Sequence, residues 1–172
     1  MTYFEVFEIP PSLALDARDL EKRFYALSRK LHPDLRRNPA ERAQAEEATA
    51  VLNDAYRVLR DPVARAEYVL RLEGFDVGKQ DSKDVPPELL EEVFELNMAL
   101  EELQAGDTDA LPQLESARQR FAGMRAELDT ELQRKFAEWD EAAERDRLAE
   151  VRGLLNRRKY ITNLIAKTNV PD

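Results

Sequence analysis

The chain has 172 residues, enough for one domain of ordinary size or two small ones. Hydrophobic residues make up 43% and charged residues 35%, with few glycines, a mixture that favours helices with wet outer faces over sheet. There is no cysteine and one histidine, which excludes disulfides, thiolate catalysis and Cys-ligated clusters and nearly excludes transition-metal sites; carboxylates could bind Mg²⁺ or Ca²⁺ weakly, but no Asp-rich, Gly-turned loop suggests it, and no metal or cofactor is expected.

From the N-terminus, "MTYFEVFEIPP" has neither a basic n-region nor an apolar h-region, so the expected location is cytoplasmic. Residues 2–8 predict a short aromatic segment stopped by Pro10-Pro11. Asp16 is an N-cap for a helix through about Leu31, whose Leu20, Phe24, Leu27 and Leu31 form one apolar stripe. Pro33 disfavours a helical His32, so this helix ends there. Asn38, Pro39 and Glu41 then mark a new start with the spacing of a capping box. That third helix runs to about Arg60 and is expected to bury Ala48, Leu52, Ala55, Tyr56 and Leu59. Asp61-Pro62 opens a fourth helix, carrying Tyr68 and Leu72 and closed by Gly74.

Residues 75–87 read as a linker, and a fifth helix spans about 88–104. "AGDTDALP" is a turn. From about 110 to 167 the pattern is helical, with the apolar series Leu114, Phe121, Met124, Leu128, Leu132, Trp139, Leu148, Val151, Leu155 and Leu164. An unbroken helix of that length, about 85 Å, would lack a partner along most of its course. It is therefore expected to fold back near residues 137–141 and to make a three-helix bundle with the fifth helix. No run of about 18 apolar residues is present, so no membrane partner is expected. The charge of −9 is uneven: 12 Lys/Arg against 13 Asp/Glu up to residue 75, and 14 against 22 beyond it. The acidic second part is a poor binder of nucleic acid.

The only histidine lies in "SRKLHPDLRR", and three roles compete for it. Catalysis requires a nucleophile, an orienting carboxylate and an oxyanion loop, and the flanking sequence supplies no such set, so an enzyme is disfavoured. A structural role is available: histidine suits a helix C-terminus, proline the stop and aspartate the turn. A recognition loop is also available. A proline-locked turn loses little entropy on binding, Asp34 can accept a bidentate bond from a partner arginine, and Arg18, Lys22, Arg23, Arg29 and Lys30 give the preceding helix a basic face.

The basic helix, the tripeptide His32-Pro33-Asp34 and "LNDAYRVLRDPVARAEY" (52–68) together resemble a J-domain, over residues 2–73. "RAEYVLRLEGFDV" (65–77), the acidic "PELLEEVFELNMALEEL" and the helical remainder resemble the HscB family, the J-protein co-chaperones of iron–sulfur cluster assembly. The resemblance implies an all-α fold in an L-shaped two-domain arrangement: a J-domain over 1–74, a linker over 75–87 and a C-terminal three-helix bundle over 88–172. It implies that the partners are a DnaK/HscA-type ATPase chaperone and an IscU-type iron–sulfur scaffold. His32, Pro33 and Asp34 would promote ATP hydrolysis by the chaperone, with Lys22, Arg23, Arg29 and Lys30 as its electrostatic contact, extended by Arg36 and Arg37. Leu90, Phe94, Glu95, Met98 and Glu102, completed by Tyr160, would bind the scaffold; Glu91 and Met98 depart in chemical type from the bacterial pattern. A J-domain co-chaperone for the same ATPase class with another client is the alternative.

The residues themselves give the fifth helix two apolar stripes. Leu89, Val93, Leu96, Leu100 and Leu103 form the natural seam, and Leu90, Phe94 and Met98 form a second one rotated by about 100–140°. A three-helix core cannot easily bury both, so the second is expected to stay exposed as a docking face.

Overall fold

A computed structural model describes residues 1–77 and 85–169, and all regular secondary structure among them is helical. In chain order the helices are α1 Tyr3–Val6, α2 Ala17–Lys30, α3 Pro39–Leu59, α4 Pro62–Leu72, α5 Leu90–Gln104, α6 Leu111–Glu141 and α7 Arg145–Lys167, with single 3-10 turns at Pro33–Leu35, Pro87–Leu89 and Thr108–Ala110. The sequence signals account for most of the boundaries. Asp16 accepts from the N–H groups of Arg18 and Asp19, Asn38 from Ala40, and Asp61 from Val63, each satisfying donors that the first helical turn leaves free. Glu41 does not reach back to Asn38, so the expected capping box is absent; Asn38 bonds the second helical residue instead of the third. The reciprocal box forms at α1, between Thr2 and Glu5. Gly74 and Gly106 end α4 and α5 at φ of 85° and 91°. In both cases the following residue bonds back five positions, Phe75 to Leu70 and Asp107 to Glu102, a closure that requires the left-handed backbone glycine adopts freely.

The chain forms two compact units. The first comprises Met1–Val77 together with Lys135–Leu148, and the second comprises the described parts of Gly78–Arg134 and Ala149–Asp172. Of the expected linker, residues 78–84 lie outside the described residues. Phe75 belongs to the first unit, where the Arg145 guanidinium stands 4.2 Å from its ring and donates to the Glu73 carbonyl.

In the first unit α2 packs through its predicted stripe: Leu20 is buried, and Phe24, Leu27 and Leu31 are half-buried. α3 buries Ala45, Leu52, Ala55 and Leu59. Ala48 and Tyr56 are only half-buried, a departure from expectation; the Tyr56 ring is shared between Phe24, stacked at 4.1 Å, and the Arg60 guanidinium. On α4 Leu72 is exposed, and the buried set is Arg65, Ala66, Val69 and Leu70. Tyr68 closes over α1, stacking on Tyr3 and accepting from its N–H.

The α6–α7 break falls at residues 142–144, beyond the expected 137–141. α6 stays helical there because Phe136 and Trp139 are buried in the first unit and hold its last turns, while Glu138 is braced by Lys135 and Arg147. In the second unit the core is Leu89, Leu96, Leu114, Ala117, Phe121, Leu128, Ile161 and Leu164, with Val93, Leu100, Leu103 and Tyr160 packed against it. Ion pairs Arg158–Asp129 and Arg157–Glu88 tie α7 to α6 and to the turn before α5.

The densest polar contact in the first unit involves Asp140. Its carboxylate accepts from Ser12 Oγ at 2.5 Å, Leu13 N–H at 2.7 Å and Ala14 N–H at 3.1 Å. Arg65, 3% exposed, donates to the carbonyls of Leu13 and Leu59. Burial lowers the affinity of Arg65 for its proton, and Asp140 and Asp61 oppose that shift. Asp140→Ala removes three charge-assisted hydrogen bonds, one of them to a part-buried N–H, and is expected to lower stability by about 1–3 kcal/mol, read as a fall in the urea midpoint; Asp140→Asn, which keeps one acceptor oxygen, should lose less.

Candidate interaction sites

The loop after α2 is built by short-range rules. Pro33 starts a single 3-10 turn, with His32 as its N-cap. The Asp34 N–H donates to His32 Nδ1 at 3.2 Å, while an Asp34 carboxylate oxygen lies 3.6 Å from the same nitrogen. The same ring nitrogen thus faces both a backbone donor and a carboxylate, which ties the imidazole to the turn. His32 is 56% exposed and Asp34 90% in their side chains, so both functional groups are open to a partner.

Three bonds that the sequence did not announce hold the loop from behind. Arg36 donates to the Lys30 carbonyl, Arg42 Nε donates to the Arg36 carbonyl at 2.9 Å, and Thr49 Oγ1 donates to the Leu31 carbonyl at 3.5 Å. Arg36, expected to extend the basic face, is thus half-buried and engaged within the loop, whereas Arg37 is exposed. Lys22, Arg23, Arg29 and Lys30 are exposed along α2. Leu35, 63% exposed, adds an apolar group beside Asp34 that the sequence reading did not single out. Its only sequence signal was a leucine between the turn aspartate and two arginines.

In the second unit α5 shows the two expected stripes. Leu89 and Leu96 are buried, and Leu90, Phe94 and Met98 are 56%, 65% and 46% exposed. The exposed three lie four residues apart, so they align along one helix face. Glu95 is exposed and Glu102 half-buried beside them. Tyr160 is placed differently: it is half-buried against the bundle core, and burial raises its phenol above the usual tyrosine range. Among the described residues no group of three or more His, Asp or Glu side chains could hold a metal ion, and no helix is long and apolar enough to cross a membrane.

The DnaJ domain family matches residues 2–68, and the HSCB C-terminal oligomerisation domain family matches residues 85–169. The co-chaperone protein HscB homolog of Vibrio vulnificus (strain YJ016) is 35% identical over 151 residues, covering 86% of this chain and 88% of that protein. The chain belongs to the HscB family. The HscB homolog of Shewanella loihica is 32% identical over 169 residues, covering 97% of this chain and 95% of its own. The structure of the chaperone HscB from Vibrio cholerae matches with a TM-score of 0.71 at 29% identity, over 97% of this chain and 95% of that one. Human HscB shares the fold, with a TM-score of 0.70 at 24% identity, over 98% of this chain and 80% of its own. The chain is therefore an all-helical co-chaperone with a DnaJ domain followed by an HscB C-terminal domain.

The loop's rear bonds make a prediction for this chain. Arg42→Ala releases the Arg36 carbonyl, and amide hydrogen exchange at residues 34–37 should accelerate while helix content by far-UV circular dichroism is unchanged.

Proposed function

We propose that the His32-Pro33-Asp34 loop and the basic face of α2 dock on a DnaK/HscA-type ATPase chaperone and promote its ATP hydrolysis, while the exposed stripe of α5 carries an IscU-type iron–sulfur scaffold. The observation that carries the first half is the loop itself: an exposed imidazole and carboxylate fixed by one proline turn, at the end of a helix with four exposed cations, inside a DnaJ domain. A rigid turn loses little entropy on docking, and the cations favour encounter with an acidic surface. Lys22, Arg23, Arg29 and Lys30 set the approach; Asp34 supplies a carboxylate for a partner arginine; His32 supplies a ring donor. The chain performs no turnover of its own in this reading. It changes the rate of another protein's hydrolysis.

The second half rests on Leu90, Phe94 and Met98. Three large apolar side chains in line, bordered by Glu95 and Glu102, form the kind of exposed patch that marks a partner site. Tyr160 has a smaller part, because it packs inward. An escort protein needs no iron ligands of its own, and the absence of cysteine agrees with a cluster held by the scaffold. Carrying both sites on one chain raises the effective concentration of scaffold at the chaperone.

Steady-state ATPase of the cognate chaperone tests the loop. His32→Gln should abolish stimulation by the full-length protein, and since the side chain is more than half exposed, the unfolding free energy should change by less than about 0.5 kcal/mol. Undiminished stimulation would refute the docking loop. For the bundle, the paired Leu90→Ala and Phe94→Ala variant should weaken scaffold binding at least tenfold by calorimetry while leaving basal stimulation by the DnaJ domain intact. Retained binding would favour a co-chaperone of the same ATPase with another client.

A further inference from the structure

α5 has a second neighbourhood, on its α6 side. Glu95, Met98 and Glu102 share an open groove of about 530 Å³ with Pro112, Gln113, Ser116, Ala117 and Arg120, all within the second unit. Ala117 is buried and Met98 is exposed, so the groove is apolar in part. α5 carries five glutamates and no lysine or arginine. Glu102 is half-buried and has no hydrogen-bond or ion-pair partner among the described residues. Glu95 does have one. Arg120, the one base lining the groove, reaches across from α6 to place Nη2 at 3.4 Å from the Glu95 carboxylate, and its Nη1 donates to Ser116 Oγ at 3.1 Å.

We propose that Arg120 is a built-in competitor for a cation of the scaffold. In the free chain it neutralises Glu95. On docking, a lysine or arginine of the scaffold lies along the groove, its aliphatic stem on Met98 and Ala117 and its charge on Glu102 and Glu95, and Arg120 gives way. The inference rests on the scaffold-binding reading above. The scaffold is the occupant because Glu95, Met98 and Glu102 line the groove and belong to the proposed scaffold face as well, and because the two glutamates of the groove select a positive group. An ion pair this exposed is weak and exchanges readily with another cation. Its effect is discrimination: a basic surface that cannot also cover Leu90 and Phe94 gains too little to displace Arg120.

The test is calorimetric titration of the full chain with the scaffold at low salt. Arg120→Gln should tighten binding about three- to fivefold, the range an exposed pair can contribute. The gain should vanish at high salt and should be absent when Glu95 is already replaced by Gln. Unchanged binding in Arg120→Gln, weaker binding, or a gain that persists in the Glu95→Gln background would each overturn the competitor role. Leu90→Ala in the same series separates the two failures. Undiminished binding there overturns the scaffold face itself, whereas weakened binding there with no gain in Arg120→Gln overturns only the competitor.

Discussion

The first unit depends on how Leu13 is held. Its side chain is fully buried, its N–H donates to Asp140 and its carbonyl accepts from Arg65. Both backbone groups and the side chain of one residue are therefore fixed at once, two of them by charged partners. Charge-assisted bonds of this kind are short and strong, and here an aspartate and a buried arginine face each other across the same segment. The segment is the entry to α2, three residues before its Asp16 cap. α2 in turn delivers the His32 loop at its far end, about 21 Å away at 1.5 Å per residue. A loop proposed to present two side chains to a partner would gain from a helix whose start cannot drift.

Two kinds of exposed surface follow from two kinds of local structure. At the loop, a proline, a 3-10 turn and three bonds from behind fix the backbone while the functional atoms stay in water. On α5, regular helix geometry alone aligns the exposed leucine, phenylalanine and methionine, and the opposite face is spent on the bundle core. The first surface is small, polar and cationic; the second is apolar with an acidic border. Under the proposed function the opposite signs would suit a chain with two different partners, since each surface would repel what the other attracts.

Much of this was legible from residue order. Helix starts were readable because Asp16, Asn38 and Asp61 satisfy their own first turns, and helix ends at Gly74 and Gly106 because glycine adopts positive φ without cost. The two stripes of α5 were readable because helical periodicity maps spacing onto direction. The α6–α7 break was misplaced by a few residues because neither Pro nor Gly marks it. What extends α6 through Glu141 is burial of Phe136 and Trp139, and burial is not a local property. Tyr56 was expected in the core from its helical spacing, but it shares its ring with Phe24 and the Arg60 guanidinium and stays half-buried.

By itself the sequence determined the helical class, most of the caps, the loop chemistry around His32 and the doubled apolar face of α5. Each follows from groups within a turn or two of one another, where backbone geometry fixes the outcome. Tertiary structure alone decided that Arg65 is buried, that Asp140 caps a loop more than 120 residues away in the chain, that Arg36 turns inward and that Arg120 reaches Glu95. These are pairings of charged groups distant in sequence. A lone arginine or aspartate in a helix reads as a solvated surface residue until packing brings its partner near and removes the water.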